Sequence, residues 1–213
     1  MTIAAIAERK ALGETAALFA NIRRALGVPP WSTWSGGISR PSPGGLDWAW
    51  RAVRPFYVSG AGAREGAALL AALALPAVST WSRLDLRTAG VDEATERTIV
   101  TVLDSYNRSN AMNLVALTAL TARLGNDFAP VAAPAAASAG APPAVEGELP
   151  ALLSVAEMTP AIAEMVRRLD RLGERGEPRI PASMYRHLAH WPGFLDLARG
   201  LLAPLVTTAA SAN

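Results

Sequence analysis

Apolar residues recur along most of this chain at intervals of three and four, the spacing of one face of an α-helix. No stretch alternates in period two for long, and strand formers rarely occur in runs. The pattern predicts an all-α protein. Helices are expected over residues 3–26, 46–58, 62–74 and 91–124, with 77–90 a loop or short helical turns. Gly27 and the Pro29-Pro30 pair stop the first, "SGAG" breaks the second, and Pro76 ends the third. The longest helix opens on "VDEATERTIV", whose acidic first turn suits the positive end of the helix dipole, and it closes at Gly125. Residues 129–150, "APVAAPAAASAGAPPAVEGELP", are almost all Ala, Pro, Ser and Gly. Such a segment buries too little apolar area to offset its ordering entropy, so a flexible linker is expected. Further helices are expected over 151–156, 159–174, 181–190 and 193–204, followed by a fraying tail. The reading is a helical bundle of two unequal, related units, 1–128 and 151–213, joined by the 129–150 linker and packed as one compact domain.

An internal repeat supports the two-unit reading. "VPPWSTWSGGISRPSPGGLDWAW" and "IPASMYRHLAHWPGFLDLA" both run from an aliphatic-Pro step through an aromatic patch to Pro-Gly-(Gly/Phe)-Leu-Asp-(Trp/Leu)-Ala. Leu46 to Pro55 and Leu195 to Pro204 are equally spaced. The copies differ by three residues between the first Pro and the Pro-Gly.

Composition narrows the function classes. The chain has 213 residues, 51% of them apolar, enough for a sizeable core. Cysteine is absent, which removes disulfides, thiolate nucleophiles and thiolate metal sites. The net charge is +2 and the basic residues are scattered, so no nucleic-acid surface is expected. Pro interrupts the longest uncharged runs, so no membrane span is expected. Charged residues come too early in "MTIAAIAERK" for a secretory leader, and a cytoplasmic soluble protein is the expectation.

The long helix and the second repeat carry the candidate chemistry. On a helical wheel Ile99, Leu103, Tyr106, Asn110, Asn113, Leu117, Leu120 and Leu124 share one face, while Asp104 and Arg108 are placed to pair elsewhere. If that face is buried, Asn110 and Asn113 must bond backbone, water or a ligand, since an unmet group costs about 1–3 kcal/mol. Trp31 and Trp34 could wall a pocket or cover a core; Trp48 and Trp50 read as core packing. His187 and His190 could serve as a general base, or pack. Two His at i, i+3 without a third ligand do not define a metal site, and none is expected. No phosphate loop or nucleophile elbow occurs.

"ANIRRALGVPP…PGGLDWAWRAVRP", "LDSYNRSNAMNLVALTAL" and "IPASMYRHLAHWPGFLDLA", in that order, resemble the group I 2-haloacid dehalogenase family (the DehI type). The resemblance implies two tandem helical repeats with a pocket between them. It also implies cofactor-independent hydrolysis of a carbon–halogen bond beside a carboxylate, an Asp in the second repeat activating water. It places an aromatic wall at Trp31 and Trp34, and polar groups at Tyr106, Asn107 and Asn110. With Asn113, Ser183, Tyr185 and Arg186 these make the candidate substrate-binding set, and Arg186 suits a ligand carboxylate. The catalytic Ser-Asp step aligns with Ser183-Met184, and a thioether cannot deprotonate water. Residues 180–192 contain no carboxylate. Two further departures are "SGGISRPSP" in place of an Arg-containing aromatic helix, and a second copy that ends soon after Pro204. A second chain, identical or not, is therefore expected to close the pocket. Two readings follow. One is a small-molecule enzyme displacing a leaving group from a carboxylate-bearing or polar substrate, with His187 or His190 as base. The alternative is an inactive homologue serving as a binding or structural subunit.

Overall fold

The computed structural model describes residues 11–29, 45–78, 80–125, 142–172 and 181–211. Among them are eight α-helices, one 3-10 turn and no strand, as the apolar periodicity requires. The helices are α1 (Gly13–Leu26), α2 (Gly45–Val58), α3 (Ala61–Ala72), α4 (Arg83–Thr88), α5 (Glu93–Leu124), α6 (Pro160–Leu172), α7 (Ser183–Leu188) and α8 (Pro192–Ser211). The chain divides into two compact units, residues 1–73 with 104–148, and 74–103 with 149–213. This division differs from the one read in the sequence, because 74–103 groups with the C-terminal elements.

In the first unit the core is built on helical spacing. Phe19, Ile22 and Leu26 of α1 pack with Trp50, Val53 and Tyr57 of α2, and with Met112 and Ala116 of α5. Trp50 stacks on Tyr57 with ring centroids 5.6 Å apart. Helix α3 joins this core through small residues. A Cβ on Gly66 would lie 3.1 Å from the Met112 backbone nitrogen, so a larger residue would have to push the helices apart by a few tenths of an ångström. Helix α1 ends at Gly27 in the left-handed region (φ 63), where its N–H bonds the Arg23 carbonyl. Arg108 finishes that terminus: Nε donates to the Leu26 carbonyl at 2.8 Å, and Nη1 to the Pro142 and Pro143 carbonyls at 3.2 and 2.9 Å. Val145 N–H adds a bond to the Gly27 carbonyl. The end of the expected flexible linker is thus held by specific bonds.

In the second unit α6, α7 and α8 pack on one another through Ala163, Val166, Leu169, Leu188, Phe194 and Leu195. Asp92 caps α5 by accepting from Thr95 N–H, and Ser82 and Asp85 form a capping box on α4. Helices α2 and α8 share two features. Each carries an internal proline, Pro55 or Pro204, and a surface ion pair, Asp47–Arg51 or Asp196–Arg199.

Several expectations are corrected. Helix α1 starts at Gly13 rather than running through from residue 3, because Leu12 is extended (ψ 160). Residues 151–154 form no helix, Ser154 being extended (ψ 157), and the expected helix there is only the 3-10 turn Val155–Glu157. Helix α8 continues past Pro204 to Ser211. Trp50 is core but Trp48 is 55% exposed. Arg108 bonds backbone carbonyls rather than Asp104.

Candidate functional site

The buried stripe of α5 runs one residue earlier than the wheel of large apolar residues placed it. Val102, Ser105, Tyr106, Ser109, Met112 and Ala116 are buried, whereas Leu117 and Leu124 are exposed. Small side chains on this stripe let the neighbouring backbone approach. Ser109 can be buried because its hydroxyl donates to the Ser105 carbonyl at 2.7 Å within the helix. Consequently Asn107 and Asn110 are exposed and need no protein partner. Asn113 is half-buried, and its Oδ1 accepts from the Tyr57 hydroxyl at 2.9 Å. Burial raises the Tyr57 pKa, so the phenol stays protonated and remains a donor. Tyr106, Asn107, Asn110 and Asn113 all belong to the first unit, and Trp31 and Trp34 lie outside the described residues.

Ser183, Met184, Tyr185, Arg186, His187 and His190 belong to the second unit, on α7 and the turn after it. Three of these side chains face one non-helical segment. His187 Nε2 lies 2.7 Å from the Pro150 carbonyl, and His190 Nε2 lies 2.7 Å from the Ala151 carbonyl. Arg186 Nε donates to the Leu153 carbonyl at 2.8 Å. A carbonyl only accepts, so both imidazoles carry the proton on Nε2 and leave Nδ1 as the basic nitrogen. His187 is fully buried, and burial lowers its pKa to about 4. It is neutral at pH 7. His190 is exposed, with its ring 5.9 Å from that of Trp191.

A carboxylate that the sequence reading missed stands beside this helix. Asp170 of α6 is 4% exposed, and its Oδ1 accepts from the Ala182 N–H at 2.8 Å, just ahead of α7. Its Oδ2 is buried with no hydrogen-bond partner among the described residues. Tyr185 feels this charge: burial first, then the Asp170 carboxylate, raise the phenol's pKa. The signal was present in the sequence. Asp170 follows Val166 at i+4 and so falls on the apolar face of "AIAEMVRRLDRL", where a carboxylate is out of place. Among the described residues no cluster of His, Asp and Glu could hold a metal ion. No described helix is long and apolar enough to cross a membrane.

The fold defines a class. It is similar to that of a mutant D-2-haloacid dehalogenase solved in complex with D-2-CPA, with a TM-score of 0.68 and 19% sequence identity. The match covers 96% of this chain and 71% of that one. The chain therefore has the all-helical fold of a D-2-haloacid dehalogenase. No protein-family model and no curated protein matches the sequence.

Proposed function

We propose that this protein acts on a small carboxylate-bearing molecule by displacing a leaving group, in the manner of a 2-haloacid dehalogenase but with a changed base. The observation that carries the reading is the fold likeness over 96% of the chain. Met184 cannot activate water, so the proton falls to another group of the second unit. His190 Nδ1 and Asp170 Oδ2 are the two candidates: an exposed imidazole nitrogen and a carboxylate oxygen without a partner. A base has to lie within about 2.6–3.2 Å of the proton it takes, directly or through one water. Holding substrate and water in line can contribute about 7–11 kcal/mol, so a poorly tuned base still supports slow turnover. The reading takes Ser183 and Tyr185 of the second unit as substrate-binding polar groups, with no cofactor. A homodimer or partner subunit completes the assembly.

A second reading has one specific observation in its favour. Arg186, His187 and His190 spend N–H groups on the backbone of 150–153, as a scaffold would. Under it the protein binds the carboxylate without turnover. Halide release from D- and L-2-chloropropionate separates the two. Release well below the ordinary enzymatic range of about 1–10³ per second, abolished by Asp170→Asn or His190→Gln, supports the changed base. Saturable binding without release supports the second reading. Fast release untouched by either variant overturns the assignment of the base.

A further inference from the structure

The first unit contains a cavity of about 300 Å³ that the displacement chemistry does not use. Arg24 of α1, Arg54 of α2 and Arg108 of α5 line it, together with Asn21 and Tyr57. Several other arginines pair with carboxylates: Arg51 with Asp47, Arg97 with Glu93, and Arg168 and Arg171 with Glu164. No carboxylate lines this cavity, and no described carboxylate pairs with Arg24, Arg54 or Arg108.

The geometry fixes two of the three cations. Arg54 Nε donates to Asn21 Oδ1 at 3.2 Å, and the same oxygen accepts from Trp50 Nε1 at 3.0 Å. Asn21 is thereby oriented, and the amide group left over on it is a donor. Arg108 is held by the Leu26, Pro142 and Pro143 carbonyls, which absorb hydrogen bonds but carry no full charge. Three arginines and the Asn21 carboxamide thus line the cavity, with apolar surface from Ala25, Val58 and Ala63. Like charges in one recess repel, and an anion that enters relieves the repulsion and finds planar bidentate donors. The volume is at the lower end for small-molecule sites.

We propose that this cavity binds a small organic anion bearing two or more negative charges, a phosphomonoester or a dicarboxylate, at a site separate from the displacement chemistry. More than one negative charge is favoured because one carboxylate would leave two of the three positive charges unbalanced, whereas a dianion leaves one. The apolar lining argues for an organic body rather than a bare inorganic ion.

Calorimetric titration with glycerol 3-phosphate and with succinate, at matched ionic strength, tests this. At least one probe is expected to saturate, and the tighter one identifies the head group. Arg24→Ala should weaken binding by about tenfold or more, without lowering the melting temperature, since this exposed side chain makes no described bond. Arg54→Lys should retain part of the affinity that Arg54→Ala loses. 2-Chloropropionate, with one carboxylate, should not displace the probe. Failure of both probes to saturate up to about 10 mM would overturn the proposal, as would equal affinity in Arg24→Ala. Displacement by 2-chloropropionate would overturn the separateness of the site. Chloride release measured on the same samples reports on the displacement reading independently.

Discussion

Gly193→Ala adds one methyl group where the second unit has no room for it. A Cβ built there lies 2.1 Å from the Ala89 carbonyl oxygen, 2.9 Å from that carbonyl carbon and 3.1 Å from the Ala89 Cα. Even a close carbon–oxygen contact is about 3.3 Å. The corner after α4 or the start of α8 would therefore have to retreat by about 1 Å. Neither is free to do so, because the atoms in the way are backbone and Trp81 packs edge-on against Phe194 at 5.5 Å beside them. Overpacking of this kind costs about 1–3 kcal/mol. The entropic benefit of Ala over Gly, about 0.4–1 kcal/mol, only partly offsets it. For a chain of this size each kcal/mol moves the melting temperature by about 2–4 °C, so a fall of several degrees is expected. Gly200→Ala is the control. It sits on the same helix with nothing within 4 Å of its would-be Cβ, and should hold or gain stability. Urea melts of the three proteins decide the matter. A Gly193→Ala protein as stable as the parent would refute the claim that this Pro-Gly step is a packing device.

Three further outcomes follow from particular contacts. Asn110→Leu, at an exposed position, should change stability by no more than about 0.5 kcal/mol, whereas Asn113→Leu removes the acceptor of the buried Tyr57 hydroxyl and should cost about 1–3 kcal/mol in a urea melt. The folded state holds the His187 pKa at about 4 against an ordinary 6.5, so the unfolded chain takes up that proton first; stability should be full above about pH 6.5 and fall by about 3 kcal/mol as pH drops towards 4, a slope that His187→Gln should remove. Arg108→Lys keeps the charge but loses the fork that reaches three carbonyls, and amide exchange at Val145 should accelerate relative to the parent.

The helices were legible because their apolar spacing is regular and their ends are marked. Gly27, the Asp92 cap and Pro160 in the first turn of α6 each leave a local signature. What escaped was decided by tertiary contacts. A wheel that weighs Leu heavily and Ser not at all put the buried face of α5 on Leu103, Asn110 and Leu117. The stripe instead runs through Val102, Ser109 and Ala116, because close backbone approach favours small residues and a serine hydroxyl can be met by its own helix. The non-helical course of 150–154 was hidden for a similar reason: donors for the carbonyls of 150, 151 and 153 come from more than thirty residues away. Asp170 lies outside the repeat, on the neighbouring helix α6, so nothing in the repeat itself points to it.

The cationic and aromatic run of α7 raises the question of whether it is a reactive surface or a wall, and hydrogen-bond accounting answers most of it. A segment outside helix and sheet has no internal partners, so its carbonyls bond water or donors elsewhere. Residues 150–153 find theirs in His187, His190 and Arg186, three side chains within one helical turn. Those N–H groups are committed, Arg186 to the Leu153 carbonyl through Nε. His187 is further removed from chemistry by complete burial and by a pKa that makes it a weak base. Among the described residues the candidate bases left are Nδ1 of the exposed His190 and the second oxygen of Asp170. A buried carboxylate oxygen without a donor costs stability, and such a cost is retained most readily where the group has a further task. Asp170→Asn therefore carries the most information of the second-unit variants. If the oxygen only caps the chain ahead of α7, the amide should preserve the Ala182 bond and stabilise the fold, with no effect on ligand binding or halide release. If it is the base, the same gain in stability should come with loss of turnover.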